Sequence, residues 1–360
     1  MTNLRIPGPT PLPEQVRGAL SGEMINHRGP LFADLLREVS HGLQPFFGTR
    51  EDVLLLTASG TGGLEAALVN MLSPGDRVLA VPIGSFGTRF AEIAEAYGAQ
   101  VTRLEVPWGQ AMDAAAVGKA IREMGDCRAV LTTHNETSTG VLNDLGALSR
   151  VLGKMGAERP LWLVDAVSSL GAVQVAMDEL GIDALVTASQ KAWMAPPGLA
   201  PIAFSARAWQ ASEVARCPRY YWDLRSMQKS ASSGGTPFTP NIPALYGLRA
   251  ALKLMHEEGG AAIERRHRDA ARHVRQRLSA LGLSLLADDA VASPTVTAVR
   301  MPEGVSATQV QRKLRIEYDI ELGAGMGALK DSVLRIAHMG LFRMDELDAA
   351  VDALRVVLGR

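Results

Sequence analysis

Seven short apolar runs punctuate the first two-thirds of this 360-residue chain, at 53–57, 78–82, 101–106, 129–133, 161–165, 184–188 and 201–204. Alternating with helical patterns, they read as strands of a sheet covered on both faces. Amphipathic stretches at 64–72, 86–97, 114–124 and 145–155 lie between them and supply the cover. This alternation predicts a mostly parallel seven-stranded α/β sheet with helices on both faces. It also predicts where a ligand sits, because such sheets bind beyond the carboxyl ends of their strands.

Three of those ends carry chemistry. The run 184–188 leads through Ser189-Gln190 to Lys191, just before the rigid turn Ala195-Pro196-Pro197-Gly198. Lys191 is either an exposed loop lysine or an enclosed amine, and enclosure would depress its pKa and leave it nucleophilic. The run 161–165 ends on Asp165, which is either a turn cap or a buried carboxylate facing a cation. The run 53–57 enters Ser59-Gly60-Thr61-Gly62-Gly63, which is either a flexible connection or a helix entrance that takes an anion on its free N–H groups. Together, an amine, a carboxylate and an anion cradle are the parts that hold pyridoxal phosphate (PLP).

Two further places invite a role. Thr132-Thr133-His134-Asn135-Glu136-Thr137-Ser138-Thr139-Gly140 ends a strand on a polar cluster. It is a turn with side-chain-to-backbone bonds, or it offers a hydroxyl to the cofactor's phenolic oxygen; His134 reads as structural. Arg335, inside the apolar run 333–337, needs a partner, which is either an internal acid or the carboxylate of a substrate.

The remaining sequence sets bounds. Hydrophobic content of 47% supports a sizeable core, and a net charge of −1 gives no reason to expect nucleic acid or an acidic membrane as partner. The basic stretch from Glu264 to Arg277 reads as a solvated helix face. No uncharged apolar run is long enough to cross a membrane. Two cysteines, Cys127 and Cys217, and no signal peptide suit a reducing, cytoplasmic location. No metal site is expected. Composition turns to Ser, Gly, Thr and Pro near 230–243, and a long helical pattern follows. The expected division is an N-terminal arm (1–20), a large domain (21–244) and a smaller C-terminal α/β domain (245–360).

These residues resemble a known family. Ser59-Gly60-Thr61-Gly62-Gly63, Thr137-Ser138-Thr139-Gly140, Val164-Asp165-Ala166-Val167-Ser168-Ser169, Ser189-Gln190-Lys191-Ala192 and Leu334-Arg335-Ile336 occur in the order seen in class V, fold-type-I PLP aminotransferases. Pro7-Gly8-Pro9-Thr10 and Asn26-His27-Arg28-Gly29-Pro30 fit the alanine–glyoxylate and serine–pyruvate group. The resemblance runs nearly end to end, and it implies roles. Lys191 would form the imine with PLP and Asp165 would bind the pyridine nitrogen. Ser59, Gly60, Thr61 and Gln190 would hold the phosphate. Phe86 would stack on the ring, and Thr137 would meet the phenolic oxygen. Arg335 would take the substrate carboxylate, with the backbone at Gly8 closing over it. The family shares its sites across a homodimer, so Thr239 or Asn241 would reach the neighbour's phosphate; Phe238 stands where some relatives have a tyrosine and has no hydroxyl to offer.

The reading favoured is a transaminase moving an amino group from alanine, serine or glycine to glyoxylate or pyruvate by a ping-pong mechanism. Arg28 leaves open a phosphonate or dicarboxylate substrate. A desulfurase-like lyase of the same fold would need a nucleophilic cysteine on a mobile loop, and neither cysteine has that setting.

Overall fold

A computed structural model describes residues 2–360. The expected strands form one seven-stranded sheet. From edge to edge it runs Val53–Leu56, Ala200–Phe204, Ala184–Val186, Leu161–Asp165, Ala129–Thr133, Arg77–Val81 and Gln100–Arg103. Only Ala200–Phe204 runs against the rest, antiparallel to both neighbours. The carboxyl ends of the other six therefore share one edge.

Alternation within each strand sorts its residues between two cores. Val130, Trp162, Val164 and Leu185 face one core, against the helices Pro30–Phe47 and Ile242–Glu258. Leu131, Leu161, Leu163 and Val186 face the other, against the helices Gly60–Met71 and Ser85–Ala96. Parity then sends Thr133 and Asp165 to the second face and His134 to the first. The helix Gly60–Met71 lies very close to the sheet: a Cβ on Gly63 would fall 2.8 Å from Val186 Cγ1.

A second, four-stranded sheet is ordered Asn3–Arg5, Ile320–Ala324, Val333–Ala337, Val296–Arg300. The first residues, expected as an arm, are thus a strand of this sheet, paired in parallel with Ile320–Ala324. A boundary at 245 falls inside the helix Ile242–Glu258, whose Leu245, Leu252 and Met255 pack in the large core. The smaller core gathers residues from Ala270 onward. The basic helix Gly260–Ala280 is a surface helix as expected, with Arg266, Arg268, Arg272, Arg275 and Arg277 each paired to an acid. Among the described residues no helix is long and apolar enough to cross a membrane.

Candidate active site

The three chemical strand ends converge. Ser59 caps the helix Gly60–Met71, its hydroxyl accepting from the Gly62 amide at 3.3 Å. The amides of Gly60 and Thr61, at the start of the helix, have no intrahelical partner and point outward. Gly60 lets this turn lie against the other two ends, since a Cβ there would sit 2.9 Å from Val167 and 3.1 Å from Ala188. Val167 follows Asp165 and donates its amide to Asp165 Oδ1 at 2.9 Å. Ala188 precedes Lys191 by three residues.

Asp165 is buried, and burial pushes its carboxyl up to about 7, with the nearby Glu136 adding and Lys191 and Arg89 opposing. Burial lowers the Lys191 amine to about 8; Arg335 lowers it further and Asp165 opposes. The Lys191 amine donates to the carbonyl of Pro7. The N-terminal strand brings Pro7 and Gly8 to this position, and Thr10 ties them down with two hydrogen bonds, its backbone N–H donating to the Gln190 carbonyl at 3.1 Å and its hydroxyl to the Lys191 carbonyl at 2.9 Å.

Arg335 is buried on the central strand pair of the small sheet. Its Nε donates to the Ala324 carbonyl at 2.7 Å and a terminal nitrogen to the Thr137 carbonyl at 3.2 Å. Among the described residues no acidic oxygen lies within 4.0 Å of it, which removes the internal ion pair as its explanation. Burial lowers its pKa to about 10, partly offset by Glu136, so it stays cationic at neutral pH.

Phe86 opens the helix Ser85–Ala96, with the Arg89 guanidinium 5.0 Å above its ring. Asn241 is already engaged: its side-chain oxygen caps the helix Ile242–Glu258 at the Ala244 amide, and its own amide donates to Thr57 Oγ1. Thr239 is exposed and its hydroxyl makes no bond within the chain. Phe238 stacks on Tyr221 at 4.9 Å. Arg28 is exposed, and only its backbone amide is bonded, to Asn26.

Sequence reading missed Glu136 and Arg89. Glu136 is wholly buried and accepts four hydrogen bonds. Glu136 is the only acid of the 132–140 run, and that was the available signal. His134, on the other parity, is buried away from Asp165's side chain, and burial drops its pKa to about 4.

The residues present fit PLP. Gln190, next to Lys191, and Thr133, paired with Asp165 across the sheet, each keep a buried side-chain oxygen without a partner. A depressed amine, a carboxylate and free helix amides complete the donor set that this cofactor needs. Fold and site together define a fold-type-I PLP transferase.

Comparison with known proteins gives the family. The sequence matches aminotransferase class-V over residues 10–345, and the chain belongs to that family. It is therefore a PLP-dependent aminotransferase, working on amino acids and 2-oxo acids. It is 42% identical to the "soluble hydrogenase, small subunit" of Synechococcus sp. (strain PCC 6716), over 99% of this chain and 92% of that protein. It is 40% identical to the L-aspartate–glyoxylate aminotransferase of Paracoccus denitrificans (strain Pd 1222), over 93% and 85%. The crystal structure of an alanine–glyoxylate aminotransferase from Nostoc sp. superimposes with a TM-score of 0.95 at 32% identity, covering 99% of this chain and 95% of that one.

Proposed function

We propose that this aminotransferase moves an amino group from a small amino acid to a small 2-oxo acid, glyoxylate or pyruvate, in a ping-pong cycle. One observation carries the reading. Arg335 is a buried guanidinium fixed by two carbonyls, left without an acid, and close enough to Lys191 to depress its pKa. A buried cation of that kind is suited to an incoming carboxylate, which its parallel N–H donors match.

PLP, when bound, supplies an electron sink for the bond broken at the amino acid's α-carbon. The rest is the work of this chain. Ser59, Gly60, Thr61 and Gln190 would hold the phosphate. Asp165, ionised opposite a cation, would pair with the ring nitrogen. Phe86 would lie against the ring and Thr137 would meet the phenolic oxygen. Lys191 would anchor the cofactor, and its amine is placed to carry the proton at the α-carbon. Gly8 and Arg335 orient the substrate carboxylate.

The two aminotransferases named above share glyoxylate, which supports it as acceptor. Their donors differ. A dicarboxylic donor is the second reading, favoured by Arg89, a guanidinium without an acidic partner whose charge reaches both Lys191 and Asp165. Arg28, the residue that first raised this reading, faces solvent within the chain. A lyase using a cysteine is disfavoured. Cys127 lies before the strand Ala129–Thr133, at the opposite edge of the sheet, and burial raises both thiols. The hydrogenase name has no counterpart in the donor set: among the described residues no three His, Cys, Asp or Glu side chains gather as metal ligands.

The active unit in this reading is a homodimer with shared sites. Tyr220 and Tyr221 are exposed beside Phe238, and Thr239 is the unbonded hydroxyl available to a neighbour's phosphate. Purified protein loaded with PLP and given a panel of donors with glyoxylate tests the function. Exchange with alanine, serine or aspartate is expected, and no exchange with any donor would overturn it. Sedimentation should show dimers; fully active monomers would remove the shared site.

A further inference from the structure

The helix Ser85–Ala96 starts without a cap of its own. Its N-cap position is Gly84, which has no side chain to accept a hydrogen bond. A loop far along the sequence supplies the cap. Glu136 Oε2 accepts from the amides of Phe86 and Gly87, each at 3.0 Å, and Ser138 Oγ accepts from the Ser85 amide at 2.9 Å. Ser138 also donates twice to Glu136 Oε1, from its hydroxyl at 2.6 Å and its amide at 3.0 Å. Gly84 is required for this arrangement. A Cβ there would lie 2.4 Å from Ser138 Oγ and 2.6 Å from Glu136 Cγ, so a side chain able to cap locally would evict the loop.

Glu136 has no Lys or Arg within 4.0 Å among the described residues, yet it is wholly buried. A carboxylate at that depth is costly unless fully bonded. Four donors and the positive end of a helix meet the requirement. The geometry also shows what the arrangement achieves. Thr137 lies between the two capping residues, and its carbonyl holds Arg335 at 3.2 Å. The capped turn carries Phe86. One carboxylate thus joins the strand-end loop to the helix that faces it.

We propose that Glu136 is a positioning residue of the active site, a non-local helix cap that sets Phe86, Thr137 and Arg335 in register with one another. The inference rests on the roles proposed above for those three residues. It goes further in assigning their mutual placement to a group that makes all four of its hydrogen bonds within the protein.

Glu136→Gln tests it, since an amide cannot accept at both ends. Asp183→Asn is the control. Asp183 is another wholly buried carboxylate, bonded to the Trp162 amide and to Arg159 at the far edge of the sheet. Three quantities are read: hydrogen exchange at the amides of residues 85–87 in cofactor-free protein, the Kd for PLP, and the KM for glyoxylate. In Glu136→Gln the amides should lose protection, and the Kd and KM should each rise about tenfold or more, the value of a charge-assisted hydrogen bond. Asp183→Asn should lower the melting temperature and leave all three in place. Should Glu136→Gln not fold, Ser138→Ala takes its place with the same criteria. A variant that loses stability while keeping its PLP and glyoxylate constants, or a control that loses them equally, overturns the proposal. Exchange at residues 85–87 tests the cap without reference to the cofactor, whereas a wild-type protein that bound no PLP would remove the functional reading itself.

Discussion

Gly8 and Lys191 are packed so closely that no side chain fits between them. A Cβ on Gly8 would lie 2.8 Å from both Cδ and Nζ of Lys191, and Gly8 holds a φ of +111°. The strand Asn3–Arg5 belongs to the small sheet, so this contact ties the position of the small sheet to the amine of the large one. Gly8→Ala should therefore destabilise the protein by about 1–3 kcal/mol, the cost of one strained backbone position. It should also lower turnover by displacing Lys191. Chemical denaturation and steady-state kinetics check both; a variant of unchanged stability and rate would place the arm elsewhere in solution.

Lys191→Ala should abolish turnover and the visible absorbance of lysine-bound cofactor, while PLP still binds through the Ser59 turn and Asp165. Absorbance spectra and equilibrium dialysis separate the two effects. Retained activity would exclude Lys191 as the anchor.

Asp165→Asn should cut turnover far more than it changes KM, because an amide cannot stabilise the ring's positive charge when electrons flow into it. One charge-assisted hydrogen bond corresponds to about 10- to 150-fold in rate. Equal kcat values for variant and wild type would sink the assignment.

Arg335→Leu should raise the KM for alanine, serine and glyoxylate together, by about 10- to 100-fold for the lost hydrogen bonds. Activity toward an amine without a carboxylate should change little. Since Arg335 is held by two carbonyls and no acid, the melting cost should be that of lost hydrogen bonds, about 1–3 kcal/mol, and not the larger cost of breaking a buried ion pair. Equal losses toward both substrate types would take Arg335 out of the site.

In the cofactor-free protein Asp165 and Lys191 should bend the pH dependence of stability in opposite directions on either side of neutrality, superimposed on the rise below about pH 6.5 that comes from the buried His134, His267 and His338, whose folded pKa values are lowered. Asp165 titrates at about 7 in the folded chain against 3.8 as the ordinary value, so the folded state holds the extra proton between those limits and stability falls as pH rises through them. Lys191 titrates at about 8 against 10.5, so the unfolded state holds the extra proton there and stability rises across that window. Melting temperatures from pH 4 to 10.5 should show the two contributions as differences from wild type: Asp165→Asn should remove the fall between about pH 4 and 7, so that its stability climbs more steeply there, and Lys191→Ala should remove the rise between about pH 8 and 10.5.

The large sheet was readable because most of its strands are buried on both faces and so are continuously apolar, and three of those runs lead into the residues that carry the chemistry. Hence Asp165, Lys191 and the Ser59 turn stood out. Arg335 stood out because a guanidinium in an apolar strand demands an explanation. The helix Pro30–Phe47 and the strand Ile320–Ala324 were not anticipated. Nor was the pairing of Asn3–Arg5, three residues too short to show a period, whose strand character comes from a partner more than three hundred positions away.

Sequence alone determined the class of fold, the family and the chemical types at the site, since strand periodicity and the spacing of those types are local properties. Tertiary structure decided which of them meet. Strand parity put Asp165 on the face of the helix Gly60–Met71 and His134 on the opposite one. It left Arg335 without an acid and committed Asn241 to capping its own helix. It also showed Glu136 as the cap of a helix that has none of its own. The physical reason is common to all of these. Hydrogen-bond partners, burial and the fields of neighbouring charges depend on distances in space, and residues as far apart as Gly8 and Lys191 acquire those distances only when the chain has folded.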